Sequence, residues 1–248
     1  MKFFTQYLLC GFLTSLLFPP FFLFPLGFLI FPYLFYLFIN KKFNSFGYIY
    51  HFFSGLFYGL GFFSIFLIWI KEPFFLNDST KSYFIFSYIL IIYCSLYFGL
   101  IFCFIKFFKN NFIKLIMIPS TIVFAEFLCG NFLYGFPWFS FSLINSANIF
   151  GTTLIFYIGT YGLSYLTIII YLFPSIFLIK NNKFYNILLR IYILLFLIII
   201  ILIFVRNYVQ DFKLNDFVKI TISQLNQPSS GINNFKDSKK KNESIINE

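Results

Sequence analysis

The sequence predicts an all-α polytopic membrane protein, a bundle of about seven transmembrane helices followed by a single β-strand. Three observations carry this. Of the 248 residues, 60% are hydrophobic and only 10% charged, and the mean hydropathy is +0.86, far from the composition of soluble domains. Apolar runs near the length of about 20 residues that a helix needs to cross the hydrocarbon core recur along the chain. Basic residues gather in alternate connections between those runs.

The runs lie at 3–18, 21–39, 50–70, 83–105, 112–129, 152–179 and 185–205. The first follows Lys2 and could pass for a signal peptide. It ends in Phe18-Pro19-Pro20-Phe21 without a small-residue cleavage pattern and meets the second run at once, so it reads as a retained helix joined to the next by a tight proline turn. Direction follows from charge, because basic residues in short loops stay on the cytoplasmic side. With the N-terminus inside, the cytoplasmic segments hold Lys2, Lys41, Lys42, Lys106, Lys109, Lys114, Lys180, Lys183 and Arg190 and no acidic residue. The opposite side, up to the seventh helix, holds Lys71 and Lys81 against Glu72, Asp78 and Glu126. The tail is therefore expected outside the cytoplasm, on the periplasmic face of a bacterial inner membrane.

Beyond Arg206 the character changes. Val218, Ile220 and Ile222 alternate with Lys219, Thr221 and Ser223, the period of two of a β-strand. The expected organisation is a helical membrane domain over 1–206 and a periplasmic, largely disordered segment over 207–248, too short to bury a core of its own.

Other function classes find little support. The net charge of +10 is spread over separate loops and is a topology signal, which argues against nucleic acid as a partner. Cys10, Cys94, Cys103 and Cys129 show no C-x-x-C pair and no nearby His, so neither a metal site nor a disulfide framework is implied; they read as small buried hydrophobes. The single His51 has no partners for a catalytic set and reads as structural, at the membrane interface. No cofactor is expected. The 45 Phe residues, with abundant Lys, Asn and Ile, are the mix an A+T-rich genome produces.

Against that background Glu126-Phe127-Leu128-Cys129-Gly130 and Gly135-Phe136-Pro137-Trp138 stand out. A carboxylate near the outer end of the fifth helix can reach headgroups or water far below the cost of about 3 kcal/mol at the bilayer centre. Pro137 holds Phe136 extended, Gly135 permits a turn, and Trp138 suits the interface. By themselves these residues read as a helix end anchored at the headgroups.

These pieces, taken in order, resemble the membrane half of apolipoprotein N-acyltransferase. The carriers are Phe18-Pro19-Pro20-Phe21 with Pro25; Gly61 and Trp69; Glu126-Phe127 with Gly130 and Gly135 to Trp138; Gly159-Thr160-Tyr161-Gly162-Leu163-Ser164; and Val218-Lys219-Ile220 through Gln224, Asn226 and Gln227. Cys129 stands where that family commonly has Arg. The resemblance implies an enzyme that moves an acyl chain from a membrane phospholipid, the donor, to the N-terminal diacylglyceryl-cysteine of a lipoprotein, the acceptor. Chemistry in that family belongs to a periplasmic carbon-nitrogen hydrolase (nitrilase-like) domain with a Glu/Lys/Cys triad, of which Val218–Ser223 would be the first strand. No such triad occurs in the sequence, so this chain is expected to be a truncated form, or a split form served by a separately encoded hydrolase domain, and inactive alone. The resemblance makes Trp69, Glu126, Gly135, Phe136, Pro137 and Trp138 the candidate lipid entrance, with no catalytic residue. The competing class is a non-enzymatic polytopic protein such as a channel or transporter subunit, disfavoured by helix interiors almost devoid of charge.

Overall fold

The computed structural model describes residues 4–40, 47–76, 78–132, 135–178 and 182–211. Among the described residues there are seven α-helices and no strand. They are α1 (Phe4–Ser15), α2 (Gly27–Ile39), α3 (Gly47–Phe66), α4 (Ile85–Phe102), α5 (Asn111–Asn131), α6 (Ile149–Tyr171) and α7 (Asn182–Asp211). The expected strand at Val218–Ser223 lies outside the described residues. The chain divides into two units, Met1–Tyr208 and Val209–Glu248, and the helical bundle belongs to the first.

Five helical stretches are long and apolar enough to cross a membrane: Gly47–Phe66, Asp78–Phe107, Asn111–Asn131, Ile149–Tyr171 and Tyr185–Val205. Of the seven expected spans, the first two are shorter than a membrane crossing among the described residues. The 12 residues of α1 rise only about 18 Å and the apolar stretch Phe24–Ile39 only about 24–27 Å, against a hydrocarbon core of about 30 Å. The reason is the proline turn itself. Leu16 to Leu23 form successive tight turns, with Leu23 N donating to Leu16 O at 3.0 Å, and these residues are lost from both helices although hydropathy counts them.

The centre of the bundle is α3, which packs most extensively on α1 and α4. Close approach there depends on missing side chains. A Cβ on Gly55 would stand 2.1 Å from Phe98 O in α4, and one on Gly59 would stand 2.8 Å from Ser95 Cα. On the α1 side, a Cβ on Gly61 would meet Leu8 O at 2.1 Å. Without a hydrophobic drive between helices in lipid, such backbone-to-backbone contact is what holds them. The remaining space is filled by a fully buried aromatic cluster that includes Phe18, Phe62, Phe63, Phe98 and Phe141. His51 is buried near the start of α3, its ring 6.0 Å from that of Phe38. Cys10, Cys94 and Cys129 are buried as expected, and Cys103 is half-buried.

Two lysines mark one end of the bundle. Lys114, at the start of α5, donates to Phe38 O near the end of α2 at 3.2 Å, where helix carbonyls favour a cation; Lys106 lies 3.5 Å above the Tyr48 ring.

The sixth apolar run is not one straight helix. Gly159 interrupts α6 with φ 70 and ψ −179, a conformation open essentially to glycine alone. A straight helix would place Gly151 about 24 Å from Thr167. Instead Asn145 bridges them: its carbonyl oxygen lies 2.0 Å from the Cβ position of Gly151, and its side chain donates to Thr167 Oγ1 at 2.6 Å. The segments on either side of Gly159 therefore fold back on one another as a helical hairpin. Leu154 and Leu163 are packed in one small cluster with Ile199, and Phe156 at the apex is 79% exposed.

Candidate functional site

Between α5 and α6 the chain makes the turn that positions the site. The last turn of α5 ends at Asn131, and Phe136 N returns to donate to Cys129 O at 2.6 Å. Gly135 makes that return with φ +60, and a Cβ there would lie 2.4 Å from Gly130 O, so the conformation and the space both require glycine. Pro137 comes next, 3.6 Å from the Cβ position of Gly130.

Residues Phe139 to Ser142 then alternate. Ser140 is extended, φ −150 and ψ 136, which sends neighbouring side chains to opposite sides. Phe139 and Phe141 are buried against Phe62. Ser140 and Ser142 turn the other way, toward Glu126 and Ser164.

Glu126 is the node of this polar cluster and only 3% exposed. Ser140 Oγ donates to its Oε1 at 2.6 Å, Ser164 Oγ to the same oxygen at 3.1 Å, and Phe141 N to Oε2 at 3.0 Å. Ser142 N in turn donates to Ser164 Oγ at 2.9 Å. All three partners of the carboxylate are donors, the pairing that an acceptor-only group needs when it is removed from water. The expectation that Glu126 reaches headgroups is thus replaced: the carboxylate is consumed inside the protein, binding α5, the loop and α6 together. Its partners are two hydroxyls and a backbone N–H, with no imidazole or amine to activate a nucleophile.

The other candidates sit apart from it. Trp138 stacks on Trp69 with ring centroids 5.0 Å apart and on Phe136 at 5.7 Å, making a continuous aromatic platform. Trp69 is 43% and Trp138 56% exposed. The platform stands beyond the end of α3, at the end of the bundle away from Lys106 and Lys114. The apex of the α6 hairpin adjoins the same end: Asn131 donates to Tyr161 Oη at 3.1 Å, and Phe127 meets the Tyr161 ring at 5.7 Å.

Trp69, Phe136 and Trp138 are thus brought together, Gly135 and Pro137 shape the turn that carries them, and Glu126 lies beneath as its fastening. Sequence reasoning missed Ser140 and Ser142, whose signal was the Phe-Ser-Phe-Ser alternation, and gave Ser164 no role. Residues 10–173 match the family described as apolipoprotein N-acyltransferase N-terminal domain. The chain belongs to that family. The matched range contains the whole candidate site, together with the α6 hairpin, and ends at Phe173, so α7 and the resemblance seen at Val218 to Gln227 fall outside it. No curated protein sequence matches the chain. Membership in the N-acyltransferase membrane-domain family and several apolar helices of membrane length make this a multi-pass membrane protein related to acyltransferases.

Among the described residues no group of three or more His, Cys, Asp or Glu side chains could hold a metal ion. Cys129 is fully buried, and its thiol lies 4.0 Å from Phe136 O.

Proposed function

We propose that this chain forms the membrane part of an apolipoprotein N-acyltransferase, in which the Trp69–Trp138–Phe136 platform borders the entrance used by two lipids. These are a phospholipid, whose ester supplies the acyl chain, and a diacylglyceryl-cysteine lipoprotein, whose α-amino group receives it. The observation that carries the reading is the half-exposed Trp69–Trp138 stack, 5.0 Å between rings, fastened through Ser140 to the buried Glu126. Aromatic rings with one wet and one apolar side suit the headgroup level, and a rigid platform there can orient a lipid glycerol without ordering loose side chains on binding. A carbon-nitrogen hydrolase domain supplies the nucleophile, and residues 207–248 are read as a periplasmic segment leading toward it. The membrane part supplies position.

The experiment is Trp138→Ala in an active enzyme that carries this membrane part. Acyl transfer slows while membrane insertion and protein level stay normal, because the lesion lies in substrate positioning. A fall in level that matches the fall in activity would instead make the platform a stability element only. Orientation is read from the nine-to-two split of basic residues between the two sides, which supports an inner-membrane protein with a cytoplasmic N-terminus. Alkaline phosphatase fused after Asn226 is then active and after Asn44 inactive; the reverse pattern overturns the orientation.

A further inference from the structure

Away from the platform, a half-open cavity of about 690 Å³ lies between the start of α2, the end of α6 and the membrane run of α7. Its wall includes Phe28, Ile170, Phe196 and Ile200, with Asn145 and Thr167 among the few polar residues. The size falls within the range of about 300–1,000 Å³ usual for ligand pockets. It shares no residue with the Trp69–Trp138 entrance, and nothing in the proposed acyl transfer uses it.

The polar groups at its edge are spent on one another. Asn148 Oδ1 accepts from Gly151 N at 2.8 Å, and Asn148 Nδ2 donates to Asn145 Oδ1 at 3.4 Å. Asn145 Nδ2 donates to Thr167 Oγ1 at 2.6 Å, and Thr167 Oγ1 donates to Leu163 O at 2.7 Å. The chain of bonds closes on backbone groups, so what faces the cavity is hydrocarbon. Water is a poor occupant of an apolar void, since each molecule needs two to four polar partners. A protein helix is too thick: at a diameter of about 10–12 Å, the volume admits less than about two turns. One wall of the cavity is α7, which buries little of its own surface, and a helix that apolar and that long has the acyl region of the bilayer as its surroundings.

We propose that this cavity is a binding site for one acyl chain of a bilayer phospholipid, which wedges between α7 and the rest of the bundle. An alkyl chain is thin enough to enter, needs no hydrogen bond, and restores the dispersion contacts that the facing walls lack across the void. Because lipid tails are as apolar as the wall, the preference over bulk lipid comes from packing and is modest, about fivefold.

The test places the full chain in nanodiscs of phosphatidylethanolamine and phosphatidylglycerol containing a phospholipid with a diazirine near the middle of one acyl chain. After irradiation, labelled positions are mapped by peptide mass spectrometry. Expected is labelling of Ile170 and of the α7 stripe Ile193, Phe196, Ile200 and Ile203, about fivefold above the stripe Ile191, Leu194, Ile198 and Ile201. Filling the cavity with Ile170→Trp abolishes the difference and leaves labelling of the second stripe unchanged; Ile200→Trp does the same and serves if the first variant inserts poorly. Equal labelling of both stripes, or a difference that survives both tryptophans, overturns the site and leaves only annular lipid. Labelling by a diazirine fatty acid but not by the phospholipid also overturns it. So does ready disulfide formation between Ile170→Cys and Phe196→Cys in the bilayer, since α7 would then rest directly on α6.

Discussion

Replacing Glu126 by Ala removes the acceptor for Ser140 Oγ, Ser164 Oγ and Phe141 N and leaves three buried donors around the gap. In bilayer proteins such bonds are worth about 0.6 kcal/mol on average and at most about 1.7 kcal/mol, which for three gives about 2–5 kcal/mol. The site is tightly enclosed, and a donor stranded away from water costs more than the bond itself gains, so about 3 kcal/mol is expected. Glu126→Gln is the informative control. Its remaining oxygen can still accept from both serines, whereas its amide nitrogen faces Phe141 N–H, a donor against a donor. One bond is lost, and the cost falls to about 1 kcal/mol. Reversible unfolding in detergent measures both, and the protein carries its own local reporter. Its two tryptophans are the stacked pair Trp69 and Trp138, so their exciton-coupled circular dichroism reads the state of the Gly135–Ser142 loop alone. Glu126→Ala should unfold earlier and lose the coupling; Glu126→Gln should keep most of it. If both variants unfold within about 0.5 kcal/mol of the parent, as surface changes do, and the coupling persists, Glu126 does not fasten the loop. If Gln is as damaging as Ala, the charge and not the three bonds is what the site requires.

Gly159→Ala forces a side chain into a glycine-only backbone region, although nothing lies within 4 Å of the new Cβ; a loss of about 1–3 kcal/mol in unfolding is therefore a pure strain effect. Gly55→Ala drives a Cβ to 2.1 Å from Phe98 O and should cost about 1–3 kcal/mol or more by parting α3 from α4. Gly130→Ala, with 3.6 Å to its nearest neighbour, should stay within about 0.5 kcal/mol of the parent, and equal effects of the two would refute the packing account. If, as proposed, a hydrolase domain supplies the nucleophile, base and oxyanion donor that acyl transfer needs as a set, residues 1–248 expressed by themselves should transfer no acyl group. Mass spectrometry of a lipoprotein N-terminus in cells depleted of their own N-acyltransferase checks this: triacylated product from this chain alone would refute it, and product only with a co-expressed hydrolase domain would show a shared enzyme.

Hydropathy was enough to locate α3, α4, α5 and α7, because an uninterrupted apolar run of membrane length has few other fates in water. It placed α1, α2 and the proline turn between them but overestimated both lengths, because Pro19 and Pro20 end the helical geometry without lowering the hydropathy. It failed at Gly159, whose φ of 70 folds a run in half while leaving its composition unchanged. The site shows the same division. Gly135 to Trp138 stood out by residue type, but no pattern joined Trp138 to Trp69 beyond the order shared with the family, and none showed that Ser140 and Ser164 enclose Glu126.

The common cause is that lipid and protein interior are equally apolar, so side-chain hydrophobicity does not tell which face of a helix is covered. Phe98 is fully buried and Phe104 half exposed within one greasy stretch, and nothing in their chemistry separates them. Polar and missing side chains do carry that information. A polar atom in the hydrocarbon layer must find a partner within the protein, so Glu126 with Ser140 and Ser164, and Asn145 with Thr167, each record a contact between the 140–148 segment and α6. A glycine whose Cβ position falls on another backbone records a contact as surely. In a chain with 45 Phe residues, the few serines, asparagines and glycines specify the arrangement, and the aromatic rings fill the space those residues define.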